Sequence, residues 1–157
     1  MFFSHSSSYA IRALTYLAMQ PPGKLTGARE ISEREAIPGA FLGKVLIQLR
    51  RARLVRSYKG IGGGYELALP PDRINLLMIV RDTGSEGLFE SCFLEDRECS
   101  SSCCCALHES WVVLRDHLMR MLERSTLAEL AQTRLSGSFK PVEGAKKLNG
   151  LPERQVG

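Results

Sequence analysis

The chain has 157 residues, 44% hydrophobic and 24% charged, with a formal net charge of +4. That is enough for one domain with a real core plus an extension, and its apolar runs fall far short of the roughly 20 residues a membrane span needs. Met1 to Ser8 lacks the basic-then-apolar order of a secretory signal, so the expected location is the cytoplasm, where structural disulfides are disfavoured.

The first helix is predicted over Tyr9–Met19, where Tyr9, Ala10, Ala13, Leu14 and Leu17 recur at spacings of three and four and Ser6 to Ser8 are N-cap candidates. Pro21-Pro22-Gly23 ends it. A short second helix follows from about Gly27 to Arg34, capped by Thr26, with Ala28 and Ile31 inward. Ala36 to Gly39 is a turn, and Pro38 suits the start of a third helix over Gly39–Arg53. The expected apolar stripe of that helix is Phe41, Leu42, Val45, Leu46 and Leu49. Lys44, Gln48, Arg50 and Arg51 fall largely off the stripe, where they can meet a partner. Two short helices across a tight turn, the second one basic, is the helix-turn-helix pattern; a plain helical hairpin is the simpler reading.

The next segment favours the first reading. Leu54–Tyr58 and Tyr65–Leu69 read as strands around the glycine-rich turn Lys59-Gly60-Ile61-Gly62-Gly63-Gly64, a ribbon placed where a wing would be. Its tip offers Lys59 on a backbone thin enough to approach phosphates or enter a minor groove. Gly60-x-Gly62 is not read as a nucleotide loop, because no helix and no Lys-Ser/Thr pair follow. A fourth helix is expected over Asp72–Thr83, a loop over Gly84–Ser102, and the longest helix over Cys105–Arg124, with a stripe of Leu107, Trp111, Leu114, Leu118, Met121 and Leu122. That stripe suits a dimer seam, or a face folded back on its own domain. Thr126 and Glu129 form a capping box for a last helix. From Ser136 onward glycine, proline and lysine indicate a loose tail.

Charge is unevenly spread. Ala36 to Tyr65 has no acidic residue, whereas Asp82 to Glu98 carries six against Arg97 alone. The first stretch can meet a polyanion such as DNA and the second would be repelled by it; two solvated faces of opposite sign would look the same. No Ser-His-Asp set, supported carboxylate pair or P-loop is present, so an enzyme is not expected.

All five cysteines lie between positions 92 and 105: Cys92, Cys99, Cys103, Cys104 and Cys105, with His108 three residues on. Five is an odd number, and the paired Cys-x2-Cys units common in zinc knuckles are missing. Thiolates spread along an acidic loop suit the soft irons of an iron–sulfur cluster. Zinc and metal-free thiol redox chemistry stay open. The fourth ligand could be His108, His5 or a partner's carboxylate.

The order of parts resembles the IscR/NsrR family of winged-helix iron–sulfur regulators. The resemblance rests on Ser8-Tyr9-Ala10-Ile11-Arg12-Ala13-Leu14, Glu30-Ile31-Ser32 to Ile37-Pro38, Phe41-Leu42 with Leu49, and Leu54 to Ala68 with its Gly60-Ile61-Gly62-Gly63-Gly64 turn. The spaced cysteines, Leu107-His108-Glu109-Ser110-Trp111 and Thr126 to Leu130 extend it over about residues 1–135. It implies a cytoplasmic homodimer that binds a palindromic operator in double-stranded DNA, as a repressor. It implies DNA contacts at Lys44, Gln48, Ser57, Lys59 and Gly60, and a 2Fe–2S or 4Fe–4S cluster on Cys92, Cys99 and Cys105, with His108 as fourth ligand in IscR-like members. Members of the NsrR type use an acidic residue near the N-terminus, where this chain has Ser8. Other departures are one extra residue in the first cysteine gap, the additional Cys103 and Cys104, Gly43 in place of a larger polar residue, and Arg53 where a glycine is common. If Arg53 is left-handed it costs roughly 1 kcal/mol.

The expected fold is mainly α with a small β-ribbon: a winged helix-turn-helix plus a long dimerisation helix. Residues 1–83 would bind DNA, 84–105 would form the cluster loop, 106–135 the dimerisation and C-terminal helices, and 136–157 a flexible tail. Alternatives are a metal-free thiol-based redox regulator of the same fold, and an iron–sulfur carrier or electron-transfer protein with a basic docking face.

Overall fold

The computed structural model describes residues 4–84, 89 and 106–137. Among them are six α-helices: α1 (His5–Ala18), α2 (Ala28–Glu35), α3 (Gly39–Arg51), α4 (Leu76–Asp82), α5 (His108–Arg124) and α6 (Leu127–Leu135). Two antiparallel strands, β1 (Val55–Tyr58) and β2 (Gly64–Leu67), follow α3, and a 3-10 turn over Pro71–Arg73 precedes α4.

Helix α1 starts four residues before the predicted Tyr9. Ser4 is its N-cap, its hydroxyl accepting from the Ser7 amide at 3.1 Å. Ser7 is already the third residue of the helix and is fully buried, its Oγ accepting from Thr83 Oγ1 at the end of α4 at 2.8 Å. Thr26 is not the cap of α2 either; Gly27 holds that position without a side-chain bond. Thr26 is instead paired through its backbone with Tyr65 (N–O distances 3.0 and 2.9 Å), which ties the α1–α2 connection to the edge of β2. Its hydroxyl is buried with no hydrogen bond among the described residues.

Pro38 is the N-cap of α3, as its fixed φ favours, while α2 ends on Ala36 in the left-handed region at φ 48°. Helix α3 stops at Arg51, short of the predicted Arg53, because Arg53 itself turns left-handed at φ 59°. The strand register pairs Val55 with Leu67 and Tyr58 with Gly64. Gly64 is required by close approach: a Cβ there would lie 2.8 Å from the Thr26 carbonyl. The predicted helix over Asp72–Thr83 divides in two. Asn75 interrupts it and caps α4, accepting from the Met78 amide at 2.9 Å.

The main core joins Ala10, Ala13, Leu14 and Leu17 of α1 to Ile31, Ile37, Leu42, Val45, Leu46, Leu49, Leu54, Val55, Ile74, Ile79 and Leu127. Burying each large aliphatic side chain contributes about 1.5–3 kcal/mol. A second cluster of Leu77, Val80, Phe89 and Leu122 holds α5 against α4. The junction of α5 and α6 is fastened by backbone bonds to the start of α4, Leu76 N to Ser125 O (3.0 Å) and Leu127 N to Ile74 O (2.9 Å). The predicted capping box of Thr126 and Glu129 opens α6.

Candidate nucleic-acid interface

Helix α3 buries Leu42, Val45, Leu46 and Leu49 in the core. At 100° per residue this directs Lys44, Ile47 and Arg51 outward, with Gln48 and Phe41 along one border and Gly43 and Arg50 along the other. Lys44, Gln48, Arg50 and Arg51 are all exposed. Phe41 departs from the predicted apolar stripe: it is 55% exposed, with only one side near the Tyr9 ring, 6.2 Å between centroids. It sits on the angular border of the outward face, not above the core. A Cβ on Gly43 would meet nothing within 4 Å, so the helix has an open notch beside Lys44.

The turn after α3 leads directly into β1. Val55 is buried and Ser57 half-buried, while Arg56, Tyr58, Lys59 and Gly60 are exposed. The tip closes with Gly63 N bonding Gly60 O at 3.0 Å, and Gly60 adopts φ 93°, open to glycine but strained for other residues. The acid nearest this ribbon, Glu66, is engaged at its base. The Tyr58 hydroxyl donates to it at 2.8 Å, and Arg56 lies 3.9 Å away. That hydrogen bond, with some desolvation, raises the Tyr58 phenol above its ordinary range. Among the described residues, the outer surface of α3 and the ribbon tip therefore present cations, and the carboxylate of the ribbon, Glu66, is already paired.

Two apolar side chains on this surface have no place in the sequence reading. Ile61 is fully exposed at the ribbon tip, and Ile47 is 47% exposed at the centre of the outward face of α3. For Ile61 the available signal was an isoleucine set between Gly60 and Gly62 at the tip of a turn. An exposed apolar residue at a wing tip suits contact with a minor groove.

Cys92, Cys99, Cys103, Cys104 and Cys105 lie outside the described residues. His108 is the first residue of α5 and half-buried; His5, the other candidate imidazole, is exposed on the first turn of α1. The donor chemistry of three thiolates and an imidazole suits iron. Among the described residues no three metal-ligating side chains converge.

A helix-turn-helix running into a two-stranded wing is shared with known proteins. A family model, Rrf2, described as an iron-dependent transcriptional regulator, matches residues 3–133. The chain belongs to the Rrf2 family. Relatives include an HTH-type transcriptional regulator of Synechocystis, 45% identical over 80 residues that span 51% of this chain and 54% of that one. The HTH-type regulator NsrR of Bacillus subtilis is 30% identical, over 85% of this chain and 92% of its own. Among solved structures, the global cysteine regulator CymR of B. subtilis superposes with a TM-score of 0.71 at 28% identity, covering 83% of this chain and 95% of CymR. The oxidised form of Staphylococcus aureus CymR gives 0.68 at 26% identity, covering 84% and 97%. This Rrf2 member is thus a winged-helix chain whose relatives are transcriptional regulators. None of its described helices is long and apolar enough to cross a membrane.

Proposed function

We propose that the chain is a cytoplasmic, homodimeric repressor that binds a palindromic operator and is controlled by an iron–sulfur cluster. The observation that carries the DNA-binding half is that Lys44 and Arg51 stand exposed on the outward face of α3, around Ile47, with Lys59 exposed on the wing that follows. Helix α3 would enter the major groove with Gln48 and Lys44 toward base edges, and Arg50, Arg51 and Ser57 toward phosphates. Lys59 and Gly60 would reach the adjacent minor groove. Residues 1–83 would form this unit, 84–105 the cluster loop, 106–135 the dimerisation and C-terminal helices, and 136–157 a tail.

Cys92, Cys99, Cys105 and His108 would hold the cluster, which when bound supplies a redox- and nitric-oxide-reactive centre. The description of the family as iron-dependent and the relative named NsrR support this half. The chain's own part is coupling. His108 opens α5, so a change in what the imidazole binds acts on the helix that packs against α4.

Anaerobic purification with an absorption spectrum and iron and zinc analysis tests the cofactor. Changing Cys92, Cys99 and Cys105 to Ala should remove the iron and the redox dependence of operator affinity. Unchanged affinity under every redox condition would refute cluster control. Lys59→Ala should weaken operator binding and lower the slope of log K against log salt by about one phosphate contact; an unchanged slope removes Lys59 from the interface.

A second reading, thiol control without metal, draws on the extra Cys103 and Cys104 and on the likeness to a CymR solved in an oxidised form. It predicts operator binding that responds to peroxide in iron-free protein and is restored by dithiothreitol.

A further inference from the structure

A groove of about 550 Å³ opens between α1, α2 and α6, on elements that carry none of the proposed DNA or cluster residues. Its walls include Ile11 and Leu130, and its rim carries Arg12, Arg34 and Arg134. Glu35 at the base is only 4% exposed. Its carboxylate is fully used: one oxygen accepts from Arg134 Nη2 at 2.8 Å and the other lies 3.7 Å from Arg12 Nε. Three guanidiniums therefore face one neutralised carboxylate. Arg34 makes no hydrogen bond or close ion pair among the described residues; it is exposed at the mouth, and its charge acts on Glu30, one turn earlier, only at longer range. Each guanidinium has five donors, so most of the donors in the groove are unspent.

From this combination we infer that the groove is a binding site for a small organic carboxylate with an apolar body. The volume lies in the range of small-molecule sites, roughly 300–1,000 Å³. A guanidinium pairs a carboxylate in a bidentate fork, and the aliphatic walls beside Ala36 would take the hydrocarbon part. A metal cation is excluded by the surplus positive charge. An inorganic anion would leave the apolar walls uncovered. The site also has a mechanical consequence. Arg134 on α6 already reaches across to the end of α2, and a bound carboxylate would add a second tie between the C-terminal helix and the helix-turn-helix.

The test uses the full chain. Sodium benzoate, hexanoate and succinate, with inorganic phosphate as a control, are titrated at constant ionic strength by calorimetry and by thermal unfolding. At least one of the organic acids should bind once per protomer and raise Tm, and phosphate should not. Arg34→Met, which breaks no hydrogen bond or close ion pair and removes only a longer-range attraction to the exposed Glu30, should weaken that binding about tenfold or more and leave the ligand-free Tm nearly unchanged. Thr133→Trp, at an exposed wall of the groove, should block it by bulk. No binding by any of the three acids up to about 10 mM overturns the proposal, because weaker binding would be worth under about 3 kcal/mol. So does equal binding by Arg34→Met and Thr133→Trp. An effect of phosphate as large as that of the acids also overturns it. A loss of DNA affinity in Arg34→Met without any carboxylate binding would assign the arginine to nucleic acid instead.

Discussion

Arg53 occupies a backbone position that disfavours it. Its φ of 59° lies in the left-handed region, one residue past the Ala52 C-cap of α3, and its side chain is exposed with no ion pair among the described residues. Nothing on the side chain offsets the close approach of its Cβ to the following carbonyl. Arg53→Gly should therefore raise unfolding stability by about 1 kcal/mol, partly offset by the freer unfolded glycine chain. Urea unfolding checks this; a fall in stability would mean that the arginine makes a compensating contact. The sequence pointed to this residue only through its resemblance, since no periodicity reveals a left-handed φ. Thr26 and Glu35 show the opposite case. One pairs with β2 through its backbone and the other is clamped by arginines 23 positions before it and 99 after it. Neither partner is encoded locally, so neither was legible.

Helix α6 is the element most dependent on one local motif. Thr126 accepts from the Glu129 amide at 3.3 Å, and the Glu129 carboxylate accepts from the Thr126 amide at 3.0 Å. The same segment is where α5 and α6 are fastened to α4, and Leu127 behind it is fully buried. Thr126→Ala should cost about 1 kcal/mol of stability, seen as a lowered urea midpoint with an unchanged m-value. A loss well above about 2 kcal/mol would show that the backbone bonds from Ser125 and Leu127 to the start of α4 had gone as well. This capping box was readable because it is a four-residue pattern. Helix α4 was not, because Asn75 serves as a cap inside an otherwise continuous apolar rhythm. The start of α1 was placed late because three serines in a row obscured Ser4.

At the scale of the whole molecule, the long stripe on α5 divides. Trp111 and Leu122 are buried and Leu118 packs beside Leu77 and Val80, whereas Leu107, Leu114 and Met121, spaced by seven, are 43%, 51% and 49% exposed. Val113 beside them is 69% exposed. The folded-back reading of this helix thus describes one side of it, and the exposed row on the other side is the face that the proposed dimer seam would use. An exposed heptad row on one helix suits a two-fold partner. The chain should sediment as a dimer, and Leu114→Glu should shift it to monomer at micromolar concentration while leaving the circular dichroism unchanged. A wild-type chain that stays monomeric at about 100 µM would rule the seam out, since such affinity is under about 5.5 kcal/mol. The winged architecture was legible because it depends on local signals in chain order. How α5 and α6 close back over α1 and α4 depends on long-range packing that only the folded chain displays.

The fastening of the α5–α6 junction gives α5 the properties of a lever. Its pivot is the pair of backbone bonds at Ser125 and Leu127, and its far end is His108, three positions after Cys105 in the sequence. Seventeen residues at 1.5 Å each make an arm of about 25 Å. A tilt of about 10° about the pivot would carry the His108 end through about 4 Å, on the same rise per residue. Conversely, a displacement of a few ångströms at that end would reach α4, through Leu118 and Leu122, only as a small rotation.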